Sequence, residues 1–178
     1  MNFQSIDEIF AENDRIHAGL LRTLESISDT QASKLADGEK WTISQIVEHI
    51  AIVDEGSSKI CNRLLTKARE ESRPAAGSVN ISNGFRMQSA EIDQIKIVAP
   101  DRVQPSGDIP IADSLVRMEE NRLRLGEIKP LFENFDGDSD KFPHPFLGDL
   151  SAVEWLIMKG GHEARHTRQI ERILQKLA

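Results

Sequence analysis

The chain has 178 residues, a net charge of −7 and a single cysteine, Cys61. Because nucleic-acid affinity depends on clustered positive charge, 29 acidic against 22 basic residues argue against DNA or RNA as the main partner. One cysteine excludes an intramolecular disulfide, and no apolar run reaches the roughly 20 residues of a membrane-spanning helix. The segment Met1–Glu8 has no secretory signal pattern, so we expect a single cytoplasmic domain over residues 1–178 without a membrane partner.

The first predicted element is an amphipathic helix from about Ser5 to Ser28, where apolar residues recur at three- and four-residue steps. Its buried face is apolar except for Asn13 and His17. These two side chains either mark the edge of the buried face or line a polar pocket inside the fold.

A second helix is predicted to begin at Thr42, which has the spacing of a capping box with Gln45. His49 falls on the apolar stripe of this helix, so we expect its imidazole to point into the core. The helix should end within the charged segment 67–71. The apolar positions that define the stripe are Ile43, Ile46, Val47, Ile50 and Val53.

Residues 72–107 are rich in Gly, Pro, Ser and Asn and predict a long crossover connection, with a short ordered piece around 92–98. Loops of this length inside a compact domain are usually functional or mobile. We therefore expect the crossover to cover a pocket.

A third helix is predicted to open near residues 108–110, with Asp108 as its cap and Pro110 in its first turn. Pro130 predicts a kink or a break. Arg122 lies on the otherwise apolar stripe. Its guanidinium either extends outward over its apolar stem or offers a positive fork to an anionic ligand.

The last predicted helix follows the loop 136–140 and opens at Ser151, which forms a capping box with Glu154. His162 and His166 are four residues apart on its buried face, so both imidazoles can reach one ion. Four amphipathic helices without convincing strands predict an all-α protein, a four-helix bundle.

Three inward-facing histidines, His49, His162 and His166, suggest a metal site. Burying several imidazoles with nothing to bond is costly, and coordination to one cation removes that cost. The alternative is a cluster of core histidines whose hydrogen bonds are satisfied within the protein. The sequence favours the bound divalent ion.

Residues 162–166 also fit the zinc-protease pattern H-E-x-x-H, which requires a third ligand downstream. Gln169 and Arg172 occupy the positions where the extended motif has glycine and histidine, and Glu171 lies too close in the same helix. We therefore reject a protease. Glu163 is then expected to be a solvated helix residue, or else a group that supports a ligand from outside the coordination sphere.

The order of these motifs resembles the DinB/YfiT-like superfamily along nearly the whole chain. The motifs are Trp41 before a capped helix that carries His49, the Pro-His-Pro-Phe-Leu-Gly segment 143–148, and a helix led by Trp155 whose H-x-x-x-H is followed by Gln169-Ile170. The resemblance implies a four-helix bundle of the up-down-down-up type, with a long crossover between the second and third helices, that is commonly a homodimer.

The resemblance also implies His49, His162 and His166 as ligands of zinc, nickel or a similar ion. His144 belongs to the loop motif and is not an expected ligand. Relatives include metal-dependent hydrolases and enzymes that use low-molecular-weight thiols, so the expected function is a hydrolase or a thiol S-transferase acting on a small molecule. The alternative is a non-catalytic metal- or ligand-binding module that serves in a stress response.

Three neutral histidines leave coordination positions open, as in catalytic metal sites. A cation there can lower the pKa of bound water toward 7 or stabilise a bound thiolate as the nucleophile. Arg122, Asn13 and His17 are further candidates for groups that line the pocket. Cys61 lies off the face of His49 and is expected to be a buried apolar thiol, neither a ligand nor a nucleophile.

Overall fold

Long helices form the body of the protein in a computed structural model, which describes residues 2–92, 95, 97–107 and 109–177. Four of the helices described have 19 or more residues. In chain order the elements are α1 (Ile6–Leu24), α2 (Asp29–Ser33), α3 (Ile43–Glu70), α4 (Asn83–Ile92), a 3₁₀ turn (Asp101–Val103), α5 (Ile111–Asn134), β1 (Lys141–His144), β2 (Gly148–Ser151) and α6 (Ala152–Leu177).

The structure confirms the two predicted capping boxes, which mark where α3 and α6 begin. The Thr42 hydroxyl accepts from the backbone N–H of Gln45, whose side-chain oxygen accepts from the N–H of Thr42, at 3.2 and 3.0 Å. Ser151 and Glu154 exchange the same pair of bonds at 3.2 and 3.0 Å. Such caps satisfy N–H groups that have no partner within the helix. The predicted cap Asp108 lies outside the described residues.

The contacts of α6 fix its direction relative to two other long helices. Along α6, the residue numbers of its partners on α1 increase, whereas those of its partners on α3 decrease. Helix α6 is therefore parallel to α1 and antiparallel to α3. The pairs are Asn13 with Leu156 and His17 with Glu163 for α1, and His49 with His162 and Cys61 with Ala152 for α3.

Helix α5 is parallel to α3. Arg117 near the start of α5 pairs with Glu55, and Asp136 just beyond its end pairs with Arg73 just beyond the end of α3. Together with the directions of α1 and α6, this confirms the up-down-down-up bundle. The helix continues past Pro130 to Asn134, so of the two predicted outcomes, a kink or a break, the break is wrong.

Two apolar clusters make up the core, and a polar stretch of α6 separates them. Ala152–Met158 contribute to one cluster, and Ile170 and Ile173 to the other. Full burial of an aliphatic side chain of this size contributes roughly 1.5–3 kcal/mol, so both clusters stabilise the bundle strongly. The residues from Lys159 to His166 therefore lie between two well-packed regions that hold them in place.

The expectation of no strands is wrong for residues 141–151. β1 and β2 form an antiparallel hairpin in which Lys141 pairs with Ser151 and His144 with Gly148. Gly148 has φ of 72°, a conformation that costs glycine little. Two prolines within 143–145 disfavour a strand when the structure is predicted from the sequence. A proline is nevertheless tolerated in a strand that has a free edge.

The crossover contains a helix that the sequence did not predict. α4 spans Asn83–Ile92 and buries Phe85, so the ordered piece precedes the predicted stretch at 92–98. Of that stretch, residues 93, 94 and 96 lie outside the described residues, and residues 97 and 98 have no regular structure. The short helix α2 was also not predicted. Within the described parts of the chain, no helix combines the length and apolar character needed to cross a membrane.

Candidate metal centre

The structure brings the imidazoles of His49, His162 and His166 together in the bundle. One ligand atom from each lies within 4.8 Å of the others. The Nε2 atoms of His49 and His162 are 3.1 Å apart, and the three ring centroids are 4.5 to 4.9 Å from one another. The side chains come from the first half of α3 and the middle of α6, which run antiparallel. The three predicted ligands therefore form one compact cluster.

Hydrogen bonds on the outer side of two rings direct their lone pairs inward. His49 Nδ1 donates to the backbone carbonyl oxygen of Val103 at 2.7 Å. His166 Nδ1 donates to Oε1 of Gln169 at 2.9 Å. Because both oxygens only accept, the proton of each neutral ring is on Nδ1 and the lone pair is on Nε2. This is the support that histidine ligands of metal ions commonly receive.

His162 completes a donor set that fits a divalent cation. Its Nδ1 is buried and has no hydrogen-bond partner among the described residues, and its Nε2 faces His49. Nitrogen from three imidazoles suits zinc, nickel, copper or iron. A cation would give the nitrogens that converge here a common partner.

Burial keeps the three histidines neutral. Desolvation lowers the pKa of His166 to about 3, with a further contribution from His49. The pKa of His162 is lowered well below its ordinary value, first by burial and then by His166 and His49. Burial also lowers the pKa of His49, although the bond to Val103 opposes this. Neutral imidazoles at pH 7 can bind a cation without a net loss of protons.

Trp41 and the crossover enclose His49 from outside the cluster. The Trp41 ring lies 4.9 Å from the His49 ring, centroid to centroid. Ser106 follows Val103 by three residues. The carboxylate of Glu48 accepts from the N–H and hydroxyl of Ser106 at 2.8 and 2.7 Å and from the N–H of Gly107 at 3.0 Å. The end of the crossover is thus attached to α3 at Glu48 and at His49.

Glu48 is a buried charged residue beside the histidine cluster that the sequence analysis missed. Its side chain is buried, and burial alone would raise its pKa. The hydrogen bonds from Gly107 and Ser106 outweigh burial and lower the pKa, so the carboxylate is ionised at pH 7. A polar residue next to the predicted ligand was the available signal, but its partners lie 58 and 59 positions away.

Glu163 is fully buried, so the expectation of a solvated residue is wrong. Its carboxylate bonds His17 Nδ1 at 2.7 Å and accepts from Lys159 Nζ at 3.2 Å. Lys159 Nζ also lies 2.9 Å from Oδ2 of buried Asp54. The physical reason is that α6 packs against both α1 and α3, so its buried face is wider than one apolar stripe.

The buried ions next to the cluster stabilise one another. Desolvation would lower the pKa of Lys159, but Asp54 and Glu163 outweigh it and raise the pKa. Burial raises the pKa of Asp54, which shares the ammonium group with Glu163. One ammonium group between two carboxylates leaves the network net negative when all three are ionised, a charge that suits a nearby cation.

The three candidate pocket residues, Asn13, His17 and Arg122, form their hydrogen bonds with groups outside the histidine cluster. Asn13 Nδ2 donates to the carbonyl of Leu156 at 3.0 Å, and His17 bonds Glu163. Arg122 pairs with Glu119 at 2.7 Å and Asp14 at 3.5 Å, and its side chain is 43% exposed. Asn13 and His17 are therefore half-buried groups between α1 and α6, and the guanidinium of Arg122 is engaged by carboxylates at the surface.

His144 and Cys61 lie outside the cluster, as the sequence analysis expected. Nδ1 of His144 accepts from the N–H groups of Phe146 and Leu147 at 3.2 and 3.1 Å, which closes the hairpin turn. Burial lowers the pKa of His144 to about 4. The Cys61 thiol is buried, and desolvation raises its pKa to about 12, so it is a protonated core group at neutral pH.

Comparisons with known proteins agree with this architecture. The sequence model of the DinB superfamily matches residues 12–170. The chain is 23% identical over 155 residues to the uncharacterized protein YuaE of Bacillus subtilis (strain 168), and the match covers 86% of this chain and 90% of YuaE. It is also similar to the crystal structure of TT2238, a four-helix bundle protein, with a TM-score of 0.64, 20% identity, and coverage of 94% of this chain and 99% of TT2238. At this identity the likeness to TT2238 shows the fold alone.

Proposed function

Since the chain belongs to the DinB superfamily, we propose that it binds one divalent metal ion through His49, His162 and His166 and acts on a small molecule with that ion. The observation that carries the proposal is the convergence of three neutral imidazoles, with ligand atoms within 4.8 Å of one another. Buried polar groups require partners, and one cation provides a partner for all three. Zinc and nickel are the proposed ions, because both accept imidazole ligands.

The proposed reaction is hydrolysis or transfer to a low-molecular-weight thiol. Three protein ligands leave at least one coordination position for an outside molecule, as in catalytic sites. A divalent cation held there supplies a Lewis acid, which lowers the pKa of water or of a small thiol. The chain itself holds the ligands in place, because Val103 and Gln169 keep the protons of His49 and His166 on Nδ1.

The second candidate is a non-catalytic metal- or ligand-binding module. Glu48 and Glu163, the carboxylates adjacent to the proposed ligands, are both occupied by hydrogen bonds. Neither is placed to take a proton from a substrate, which is the role that a carboxylate near a catalytic ion often has. The two candidates differ in whether an outside molecule reaches the ion, so exchange of a small ligand such as azide on the Co²⁺-loaded protein distinguishes them.

We further propose that the protein is a cytoplasmic homodimer. Its binding partner is a small-molecule substrate rather than a nucleic acid. The net charge of −7 supports the exclusion of nucleic acid. A buried single cysteine fits a reducing compartment. Light scattering coupled to gel filtration measures the mass in solution directly, and a monomer would reject the homodimer.

The metal assignment is tested by elemental analysis of protein purified without a histidine tag. We expect close to one divalent ion per chain, and loss of nearly all of it in His49→Ala. The matched control is His144→Asn, because an asparagine oxygen can still accept from the N–H groups that His144 binds. The control should keep its metal. Full metal content in His49→Ala would reject the assignment.

The reaction class is tested with the metal-loaded protein and a panel of low-molecular-weight thiols and electrophiles. Mass spectrometry should detect a thioether product or, for a hydrolase, a product that has gained one water. Either product should disappear in His49→Ala and persist in His144→Asn. If no panel member is converted and azide does not bind Co²⁺, the non-catalytic module is the better description.

A further inference from the structure

Two successive residues of α3 bind the same short piece of the crossover. His49 donates from Nδ1 to the carbonyl of Val103, while Glu48 accepts from Ser106 and Gly107. The 3₁₀ turn Asp101–Val103 ends at the bound carbonyl. Both attachments therefore hold residues 103–107 against the start of the histidine cluster.

The hydrogen bonds to Glu48 hold residues 106 and 107 firmly against α3. Glu48 is 3% exposed, and its carboxylate accepts from two backbone N–H groups and one hydroxyl, so both of its oxygens are engaged. Hydrogen bonds to an ionised acceptor are shorter and stronger than those between neutral groups. Gly107, whose N–H binds the carboxylate, has φ of 86°, a conformation that costs glycine little.

The position of the Val103 carbonyl decides where the proton of His49 is. With the carbonyl 2.7 Å from Nδ1, the proton is held on Nδ1 and the Nε2 lone pair faces His162 and His166. Without that acceptor a neutral imidazole can carry its proton on either nitrogen and can rotate about its side-chain bonds. A ligand that is not oriented binds a metal ion more weakly.

We propose that Glu48 is a positioning residue of the metal site, which acts by holding residues 103–107 so that the carbonyl of Val103 orients His49. This inference rests on the proposed function for its metal, but the orientation of His49 is a property of the metal-free chain as well. By linkage, a cation bound by His49 and the hydrogen bond between His49 and Val103 stabilise each other.

The first test compares Zn²⁺ affinity by competition with a chromophoric chelator. Glu48→Gln removes the charge and one acceptor, and we expect its affinity to fall by about 10- to 100-fold, the usual effect of losing an outer support of a ligand. The matched control is Glu55→Gln, which removes a carboxylate of the same helix that pairs with Lys59 and Arg117. The control should keep the affinity of the unmodified protein.

The second test needs no metal. Nitrogen-15 shifts of the imidazoles at neutral pH report which ring nitrogen carries the proton. In the unmodified metal-free protein, His49 should have its proton on Nδ1, and in Glu48→Gln it should show a mixture of both forms. If Glu48→Gln fails to fold, Ser106→Ala removes a single hydrogen bond to the same carboxylate. It should shift the affinity and the proton in the same direction to a smaller extent.

Each outcome is decisive. Glu48→Gln with unchanged Zn²⁺ affinity, or with His49 still protonated only on Nδ1, overturns the positioning role. Failure of the unmodified protein to bind both Zn²⁺ and Ni²⁺ overturns the proposed function instead, and the nitrogen-15 spectra then decide the orientation of His49 by themselves. A merely structural role of Glu48 would lower the stability of the variant without changing the tautomer of His49.

Discussion

His49 and His162 face each other with their Nε2 atoms 3.1 Å apart. Two ring lone pairs this close repel each other unless a proton or a cation lies between them, so without a cation we expect one of the two nitrogens to carry a proton. Since the proton of His49 is on Nδ1, where it binds Val103, the proton between the rings belongs to His162. A cation that binds both Nε2 atoms must displace this proton, and a neutral His162 then carries it on Nδ1.

The first prediction is therefore a change of tautomer at His162. In metal-free protein at neutral pH we expect its proton on Nε2, and after addition of Zn²⁺ we expect it on Nδ1. Nitrogen-15 spectra of the histidine side chains measure both states. His144 is the internal control, because its Nδ1 accepts two backbone N–H groups and its proton should stay on Nε2 throughout. An unchanged His162 at saturating Zn²⁺ would contradict the assignment.

The second prediction concerns the buried ammonium group of Lys159. It lies 2.9 Å from Asp54 and 3.2 Å from Glu163. Lys159→Met keeps much of the volume but leaves buried Asp54 uncompensated and Glu163 with His17 as its remaining partner, and breaking a buried ion pair in this way costs about 3–5 kcal/mol. We expect a loss of this size in the free energy of unfolding, measured by urea denaturation.

The double variant Lys159→Met with Asp54→Asn is the control for this explanation. It removes the charge of Asp54, which Lys159→Met leaves uncompensated, and keeps Glu163 bonded to His17. We expect it to recover part of the lost stability. A double variant that is less stable than Lys159→Met would show that volume and packing, rather than charge, explain the loss.

The sequence predicted the histidine cluster because its signals are local. The four-residue spacing of His162 and His166 places them on one helix face, and the apolar stripe around His49 indicates that it points inward. The supports of the cluster could not be predicted in the same way. His49 meets Val103 across 54 positions of the chain, and nothing in the local pattern of either residue indicates that contact.

The same distinction explains the errors in the fold. The capping boxes at Thr42 and Ser151 depend on residues three apart and were predicted with the helices they begin. The burial of Glu163 depends on two neighbouring helices at once, which a single amphipathic stripe does not reveal. The hairpin at 141–151 depends on pairing between strands, and its prolines suggest a loop when each residue is taken alone.

The third prediction is a dependence of stability on pH at Asp138. Its Oδ1 is buried without a hydrogen-bond partner among the described residues. Burial, followed by Asp136 and Glu154, raises its pKa to about 6 from 3.8. Since the folded state binds this proton more tightly than the unfolded state, the carboxyl lowers stability as pH rises through 4 to 6.

Replacement of Asp138 by Asn removes this effect. At pH 7 we expect Asp138→Asn to be more stable than the unmodified protein by about 1 kcal/mol, after allowance for partial exposure of the group. Near pH 4 the two proteins should differ little, because the carboxyl is then largely protonated in the folded state. Urea denaturation at both pH values measures the difference. A stabilisation of the same size at pH 4 and pH 7 would exclude titration of Asp138 as its cause.

The fourth prediction concerns the close approach of α1 and α6 at Gly160. A Cβ at this position would overlap Oδ1 of Asn13 and lie 3.4 Å from Cδ1 of Ile16. Asn13 cannot easily move, because its Nδ2 donates to the carbonyl of Leu156. Inserting a methyl group into such a packed contact costs about 1–3 kcal/mol, so Gly160→Ala should lower the melting temperature despite the better helix propensity of alanine.

Gly161 provides the matched control, since a Cβ there meets nothing within 4 Å. Gly161→Ala adds the same methyl group to the same helix and should be neutral or stabilising by up to about 1 kcal/mol. Combining Gly160→Ala with Asn13→Ala removes the overlapping side chain, so the pair should be less destabilised than the sum of the single changes. Equal melting temperatures for Gly160→Ala and Gly161→Ala would mean that α1 and α6 do not approach each other closely at Asn13.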